Sequence, residues 1–337
     1  MSLAEELAPL LERAVARHLG APGTIADLKR LTGGATKKTW SFTAQIGADR
    51  IPLVLQVSTP RAAPADPDAR AELPRVVGAE DAAMMIAAAR AGVPVPPVRA
   101  VLTPEDGLGP GYVMAFVRGE TIARRILREP AFAALRHGFA ERCGAILARL
   151  HRMDAATLPF LQRSGAVEQV RLYRRAYESL DHPQPVIELG LRWAEDHLPL
   201  RHAMSVVHGD FRLGNLICAG AAIAAVIDWE LAALGDPAQD LGWLCVKTWR
   251  FGGKAPVAGM GSRDALRDAY AGAGGVRIEP AHLRFWEAFG SIKWAIMCLM
   301  KGQEHHQTGR RTVEQMAIGR RMEEPLFDFL QLLAGED

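Results

Sequence analysis

Apolar residues recur four apart near the start of the chain, at Leu3, Leu7, Leu11 and Val15, which predicts a short amphipathic helix from Ser2 to Leu19. Ser2 and Glu5 have the form of a capping box, and Pro9 either kinks the helix or marks its true start. After Pro22-Gly23 the period shortens. Leu28–Leu31, Thr39–Ile46 and Ile51–Val57 read as three strands of an antiparallel meander, turned at Gly33-Gly34 and at Gly47-Ala48-Asp49. Thr59–Pro74, rich in Pro, Ala and Asp, reads as a surface loop. Val77–Ala91 is an alanine-rich helix that stops at Gly92, and Val93–Pro97 has too many prolines to be helical. Tyr112–Val117 is a short apolar strand running into Arg118-Gly119-Glu120, which serves as a crossover to the rest of the chain.

Beyond the crossover the period is mostly helical. Phe132, Leu135, Phe139, Cys143, Ile146, Leu147 and Leu150 predict one long helix with Pro130 near its first turn, and His282–Met300 predicts another. Between them, Val206–Asp228 holds short apolar strands around a polar loop. The expected fold class is α+β, with strands and one helix in residues 1–117 and a mainly helical part in residues 118–337.

Composition narrows the function. The chain has 337 residues, 49% of them hydrophobic and 23% charged, as in an ordinary globular protein, and this excludes a disordered or fibrous one. A formal charge of +2 lacks the footprint of a nucleic-acid binder, so the expected partner is a small molecule and not a nucleic acid. Cys143, Cys218, Cys245 and Cys298 are too dispersed for a local zinc site and read as buried thiols. There is no signal-peptide pattern at the start and no uncharged run long enough for a bilayer, so the expectation is a cytoplasmic protein without membrane attachment.

The chemistry concentrates in Val206-Val207-His208-Gly209-Asp210-Phe211-Arg212-Leu213-Gly214-Asn215-Leu216-Ile217, followed by Ala225-Val226-Ile227-Asp228-Trp229-Glu230. A His-x-Asp-x-x-x-x-Asn loop lies between two apolar strands, and an Asp ends the second. Phosphoryl transfer from a nucleotide needs such a set: a carboxylate to accept or orient the proton of the attacking hydroxyl, and oxygen ligands to hold magnesium on the phosphates. The step from Asp210 to Asn215 equals that of the kinase catalytic loop, and Asp228 stands where a kinase has the Asp of D-F-G. A double glycine such as Gly33-Gly34 lets backbone N–H groups come close to phosphates, although the same pair also makes an ordinary hairpin turn.

These motifs resemble the aminoglycoside phosphotransferase-like (choline kinase-like) family of small-molecule kinases, in particular the branch similar to the kinase domains of acyl-CoA dehydrogenase fusion proteins. Gly235-Asp236-Pro237-Ala238-Gln239-Asp240-Leu241 continues the match. Leu31–Trp40 resembles the branch's glycine loop, Val93–Pro96 its lobe-joining segment, and Lys293–Met297 with Ile318–Arg321 its helical tail. The resemblance implies a two-lobed protein-kinase-like fold and the cofactors ATP and Mg2+. It implies Asp210 as catalytic base, with Asn215 and Asp228 as magnesium ligands. Phosphates would lie under Gly33 and Gly34, and adenine against the backbone of Ala115, Phe116 and Val117. His208 is expected to brace the loop, Asp236-Pro237 to start a helix, and Asp240 to tie that helix back to the loop. Arg212 is left between a phosphate or substrate contact and an ion pair.

One position departs from the family pattern. Glu80 matches the helix-borne Glu whose partner is a basic residue on the third strand, yet that strand carries Gln56. Gln56 brings no charge to the phosphates, so either activity is reduced or a cation comes from elsewhere. Lys37 and Lys38, two of only seven lysines, are the candidates, with a pair of solvated loop lysines as the alternative. The reading is an ATP- and Mg-dependent kinase of a small-molecule hydroxyl. A basic C-terminal cluster, Lys301, Arg310, Arg311, Arg320 and Arg321, outweighs Glu304 and Glu314 and disfavours a polycationic aminoglycoside as acceptor. A hydroxyacyl-CoA or related metabolite suits the branch better. The competing reading, prompted by Gln56, is a catalytically weak or inactive nucleotide-binding protein.

Overall fold

The computed structural model describes residues 3–31, 37–58, 75–199, 203–307 and 313–335. The predicted loop Thr59–Pro74 lies outside them. Helix α1 (Leu3–Leu19) runs unbroken through Pro9. The strands β1 (Thr24–Leu31), β2 (Lys37–Ile46) and β3 (Asp49–Ser58) form the expected meander. Then come α2 (Ala79–Arg90), β4 (Val98–Val101) and β5 (Gly111–Ala115), and the sheet closes antiparallel in the order β1-β2-β3-β5-β4. The first strand begins earlier than its apolar run, because the register shifts between Ala26 and Lys29 with Asp27 at a φ of 57°, and this bulge hides the alternation.

Strand alternation sends side chains to two cores. Leu53, Leu55, Trp40, Phe42 and Val113 pack under Leu11, Ala14 and Val15 of α1. Val54, Tyr112 and Met114 point the other way, onto Met84, Met85 and Ala88 of α2, and that layer is continuous with the core of the helical part. Burying each such large apolar side chain contributes roughly 1.5–3 kcal/mol, so α2 is clamped between the sheet and the segments that carry the polar loop.

After the sheet the chain is mainly helical: α3 (Ala123–Arg128), α4 (Ala133–Arg136) and α5 (Phe139–His151) precede a two-residue β6 (Arg163–Ser164). The single helix expected over Phe132–Leu150 is therefore two. Gly138, at φ 81°, interrupts it, while the apolar spacing carries on across the break because both pieces face one core. Next are α6 (Ala166–Glu178), α7 (Pro185–Asp196), β7 (Ser205–Val207), β8 (Leu216–Ala219), β9 (Ala222–Val226) and β10 (Ala233–Gly235). The chain ends in α8 (Ala238–Cys245), α9 (Arg263–Gly272), α10 (Pro280–Gln307), α11 (Val313–Gly319) and α12 (Glu323–Ala334). The four cysteines are buried and unpaired, and no described helix is long and apolar enough to cross a membrane.

At Gly119 the chain from the sheet passes against β8 so closely that an added Cβ would sit 2.5 Å from Ile217 and 2.7 Å from the Cys218 oxygen. Glu120 and Cys218 exchange backbone hydrogen bonds there, at 2.8 and 2.9 Å. Arg75 and Val76 make a second junction, through an Arg75–Glu230 ion pair at 2.5 Å and a Val76 N–H to Glu230 carbonyl bond at 2.8 Å.

Candidate active site

The polar loop leaves β7 and returns as β8, and its conformation is set by groups beneath it. The buried Asp240 carboxylate, in the first turn of α8, accepts the N–H of His208 at 2.7 Å and of Gly209 at 2.9 Å. His151 Nε2 lies 3.1 Å from the same carboxylate, while its Nδ1 meets the Tyr270 hydroxyl at 2.9 Å. Burial would raise the Asp240 carboxyl, but His151 and the donors of His208 hold it below the usual carboxylate range. His208 accepts the Asp210 N–H at Nδ1 (3.2 Å), so the proton sits on Nε2, which donates to the Ile227 carbonyl at 3.1 Å. Asp236 accepts the Ala238 N–H at 2.9 Å and meets His282 and Trp286, so it caps α8 although the helix proper begins after Pro237.

This scaffold presents Asp210. Trp243 Nε1 donates to its Oδ1 at 2.7 Å, Asn215 Nδ2 to its Oδ2 at 2.7 Å, and Arg212 Nε to both oxygens at 3.1 and 3.2 Å. Arg212, left open by the sequence, is thus an ion-pair partner, and its guanidinium also stacks 4.8 Å over Trp249. Asn215 uses its nitrogen for two bonds to Asp210, which leaves its amide oxygen as the remaining acceptor. Its backbone carbonyl accepts the Ile227 N–H at 3.0 Å, fixing the loop to the residue before Asp228. Asp228 itself adopts φ 68°, ψ 62°, a left-handed conformation uncommon for a residue with a side chain and often kept at functional sites.

Opposite Asp228 stands a cation. Lys37, at the start of β2, is buried, with its ammonium 2.6 Å from Asp81 and 3.3 Å from Asp228. Burial acts to lower its pKa, yet the two carboxylates hold it above the ordinary lysine value. The structure places two of the candidate residues away from this contact. The acid on α2 that meets the cation is Asp81, not Glu80, which is exposed, because α2 turns Asp81 toward the sheet among its buried residues. Lys38 is exposed on the opposite face of β2, as strand alternation requires once Lys37 is inward. Gln56 lies on the cleft face. It accepts from the Tyr112 hydroxyl, which also lies 3.1 Å from Asp81 Oδ2, so Gln56, Tyr112, Asp81, Lys37 and Asp228 form one polar chain. Burial and the nearby Asp81 push the Tyr112 phenol well up, so it remains a donor.

Of the three segment residues expected to face adenine, Ala115 gives its N–H to Pro97 at 2.8 Å and Phe116 gives its own to Pro52 at 3.1 Å, while no described backbone group takes that of Val117. Gly33 and Gly34 lie outside the described residues. Among the described residues no three carboxylate, imidazole or thiol groups converge as a metal centre, so magnesium would need phosphate oxygens to complete its shell. A divalent ion suits Asp228 nonetheless, since that carboxylate already faces a cation and Asn215 has an amide oxygen to spare. Sequence reasoning missed Asp81, Trp243 and Tyr112. It read Lys293 only as part of a helical tail, whereas that lysine is buried beneath the loop.

The model of the phosphotransferase enzyme family matches residues 27–286. Acyl-CoA dehydrogenase family member 10 of Mus musculus is 33% identical over 175 residues, which are 48% of this chain and 16% of that longer protein. Among solved structures, an aminoglycoside phosphotransferase candidate from Ralstonia eutropha superposes with a TM-score of 0.71 at 19% identity, covering 96% of this chain and 97% of the other. Spectinomycin phosphotransferase, solved with ADP and spectinomycin, gives a TM-score of 0.63 at 13% identity over 96% and 98% of the two chains. These likenesses make the fold protein-kinase-like, and the chain belongs to the phosphotransferase enzyme family.

Proposed function

We propose that the chain transfers the γ-phosphoryl group of ATP to the hydroxyl of a small metabolite. In this reading residues 1–117 are the nucleotide lobe and residues 118–337 the catalytic and acceptor lobe. The observation that carries it is the pair of carboxylates on one rigid loop system. Asp210 is oriented by Trp243, Asn215 and Arg212, and Asp228 faces Lys37. Asp210 takes the acceptor's hydroxyl proton as its oxygen bonds to the γ-phosphorus, the bond from that phosphorus to the β-phosphate oxygen breaks, and ADP leaves. Asn215 and Asp228 would hold magnesium, which neutralises phosphate charge. Lys37 would contact the phosphates, with Gln56 beside it on the same face of the sheet. Gly33 and Gly34 would cover the phosphates, and the backbone of Ala115, Phe116 and Val117 would meet adenine, with the Val117 N–H as donor.

The likeness to an acyl-CoA dehydrogenase family member favours a hydroxyacyl-CoA or related hydroxylated metabolite as acceptor over an aminoglycoside. Gln56 is the one feature that favours a nucleotide binder without turnover, and Lys37 answers it by bringing a cation to the same polar chain. Phosphorus NMR of the protein with ATP, magnesium and a set of hydroxyl compounds tests the reading. A new phosphoester together with ADP is the expected result. Mg-ATP binding with no phosphoester for any hydroxyl compound would favour the binder.

A further inference from the structure

Where α3 and α4 meet the segment that follows α8, the surface folds into a concavity of about 330 Å³. Its walls include Leu127, Arg128 and Arg136 on one side and Phe251, Gly252 and Met260 on the other, and the lining holds no carboxylate. Arg136 is half-buried, and one of its terminal nitrogens is held by the carbonyls of Ile126 at 2.8 Å and Glu129 at 2.9 Å. Its other nitrogens have no acceptor among the described residues. Arg128 is exposed and likewise has no described carboxylate partner, because the adjacent Glu129 is taken by Arg125 at 2.6 Å.

The backbone adds a second feature. After the turn Lys247–Arg250 the chain passes through Phe251 at φ 48°, ψ 35° and Gly252 at φ 86°. The left-handed conformation is strained for a residue with a bulky ring, and such strain is often kept at functional sites. Neither N–H has an acceptor among the described residues, and N–H groups gathered by a turn of this kind form concavities for anions.

We propose that this concavity is a second ligand site, which takes an organic phosphate monoester. Arg128 and Arg136 hold the phosphate, while Leu127, Phe251 and Met260 cover the carbon part. Two cations without a carboxylate match a dianion better than a monoanion, and a guanidinium fork binds phosphate oxygens in pairs. At about 30 Å³ per water the space equals roughly eleven waters, more than a bare phosphate fills. Phe251 also links the site to Asp210. Its ring lies 6.5 Å from that of Trp249, which lies 5.2 Å from Trp243 and 4.8 Å from the Arg212 guanidinium. Trp243 and Arg212 both donate to Asp210, and the buried Trp249 indole nitrogen has no described partner, so no hydrogen bond fixes that ring. A ligand seated on Phe251 therefore alters turnover through the groups that orient Asp210. That effect rests on the phosphotransfer reading, whereas binding does not.

Calorimetry with phenyl phosphate, inorganic phosphate and phenylacetate tests the site, with excess Mg-AMP-PNP present to occupy the nucleotide cleft. The native chain should bind phenyl phosphate at least about tenfold more tightly than either other compound. Arg128→Glu, an exposed change that should leave the melting temperature in place, should weaken phenyl phosphate at least about tenfold. Phe251→Ala should remove the advantage over inorganic phosphate. In transfer assays, phenyl phosphate that raises only the acceptor KM marks the bound phosphate as the far end of the acceptor itself, and a changed kcat at saturating acceptor marks a separate effector. Both results support the site. Absence of phenyl phosphate binding, binding that Arg128→Glu leaves unchanged, or binding that moves neither constant overturns the inference. Phenyl phosphate bound with no transfer to any hydroxyl compound would instead sink the kinase reading and leave the site standing.

Discussion

Lys37 supplies from β2 the positive charge that a basic residue on β3 would otherwise bring. Thr39 is the register partner of Gln56, so Lys37 enters the cleft two positions further along the same face of the sheet, where its flexible stem spans to Asp81 and Asp228. Lys37→Met should therefore lower turnover or raise the ATP KM by at least about tenfold, while Lys38→Ala, on the outer face, should change neither. Gln56→Arg in the Lys37→Met background should recover part of the loss, because Asp81 is reachable through the place Tyr112 now bridges. Steady-state kinetics of the three proteins checks this, and equal losses for Lys37 and Lys38 would contradict it. The sequence marks Asp210, Asn215 and Asp228 because their spacing is local. It cannot mark Asp81 against Glu80, since that choice depends on how α2 is rotated against a sheet residue 44 positions away. Lys293 is hidden for a related reason: a lysine among tryptophans and methionines at helical spacing reads as core, and only packing reveals the polar cavity it lines.

Among the elements, α8 holds the polar loop through Asp240. Asp240→Asn keeps the shape but loses the charge that two backbone N–H groups and His151 address. Because the folded-state pKa of Asp240 lies below the unfolded one, its stabilisation is fully present above the ordinary aspartate value of about 4 and fades as pH falls through the folded value. Thermal melts should show a lower melting temperature for Asp240→Asn at pH 7, with the gap narrowing in acid; a gap independent of pH would contradict the assignment. Gly209 is equally constrained. It sits at φ 79°, and an added Cβ would be 2.2 Å from the Leu231 carbonyl, so Gly209→Ala should destabilise by at least about 1–3 kcal/mol and displace Asp210, read as a melting-temperature drop with lost turnover. The meander and α2 are legible because period and turn residues agree. The α5 break at Gly138 and the bulge in β1 are not, since apolar spacing continues across both.

Across the molecule, binding and chemistry fall to different groups. Asp228 and Lys37 face the phosphates and metal from the cleft, whereas Asp210 belongs to the loop scaffold of Asp240, His208 and Trp243. Asp228→Ala should thus weaken Mg-ATP binding itself, by removing a charged oxygen ligand, and calorimetry with unchanged affinity would count against that role. The most direct measurement pairs Asp210→Asn with the native protein, following both Mg-ATP affinity by calorimetry and phosphoryl transfer to a hydroxyl acceptor. Unchanged affinity with transfer reduced roughly 10²–10⁴-fold is the expected result. Near-native transfer by Asp210→Asn, with Mg-ATP bound, would contradict it.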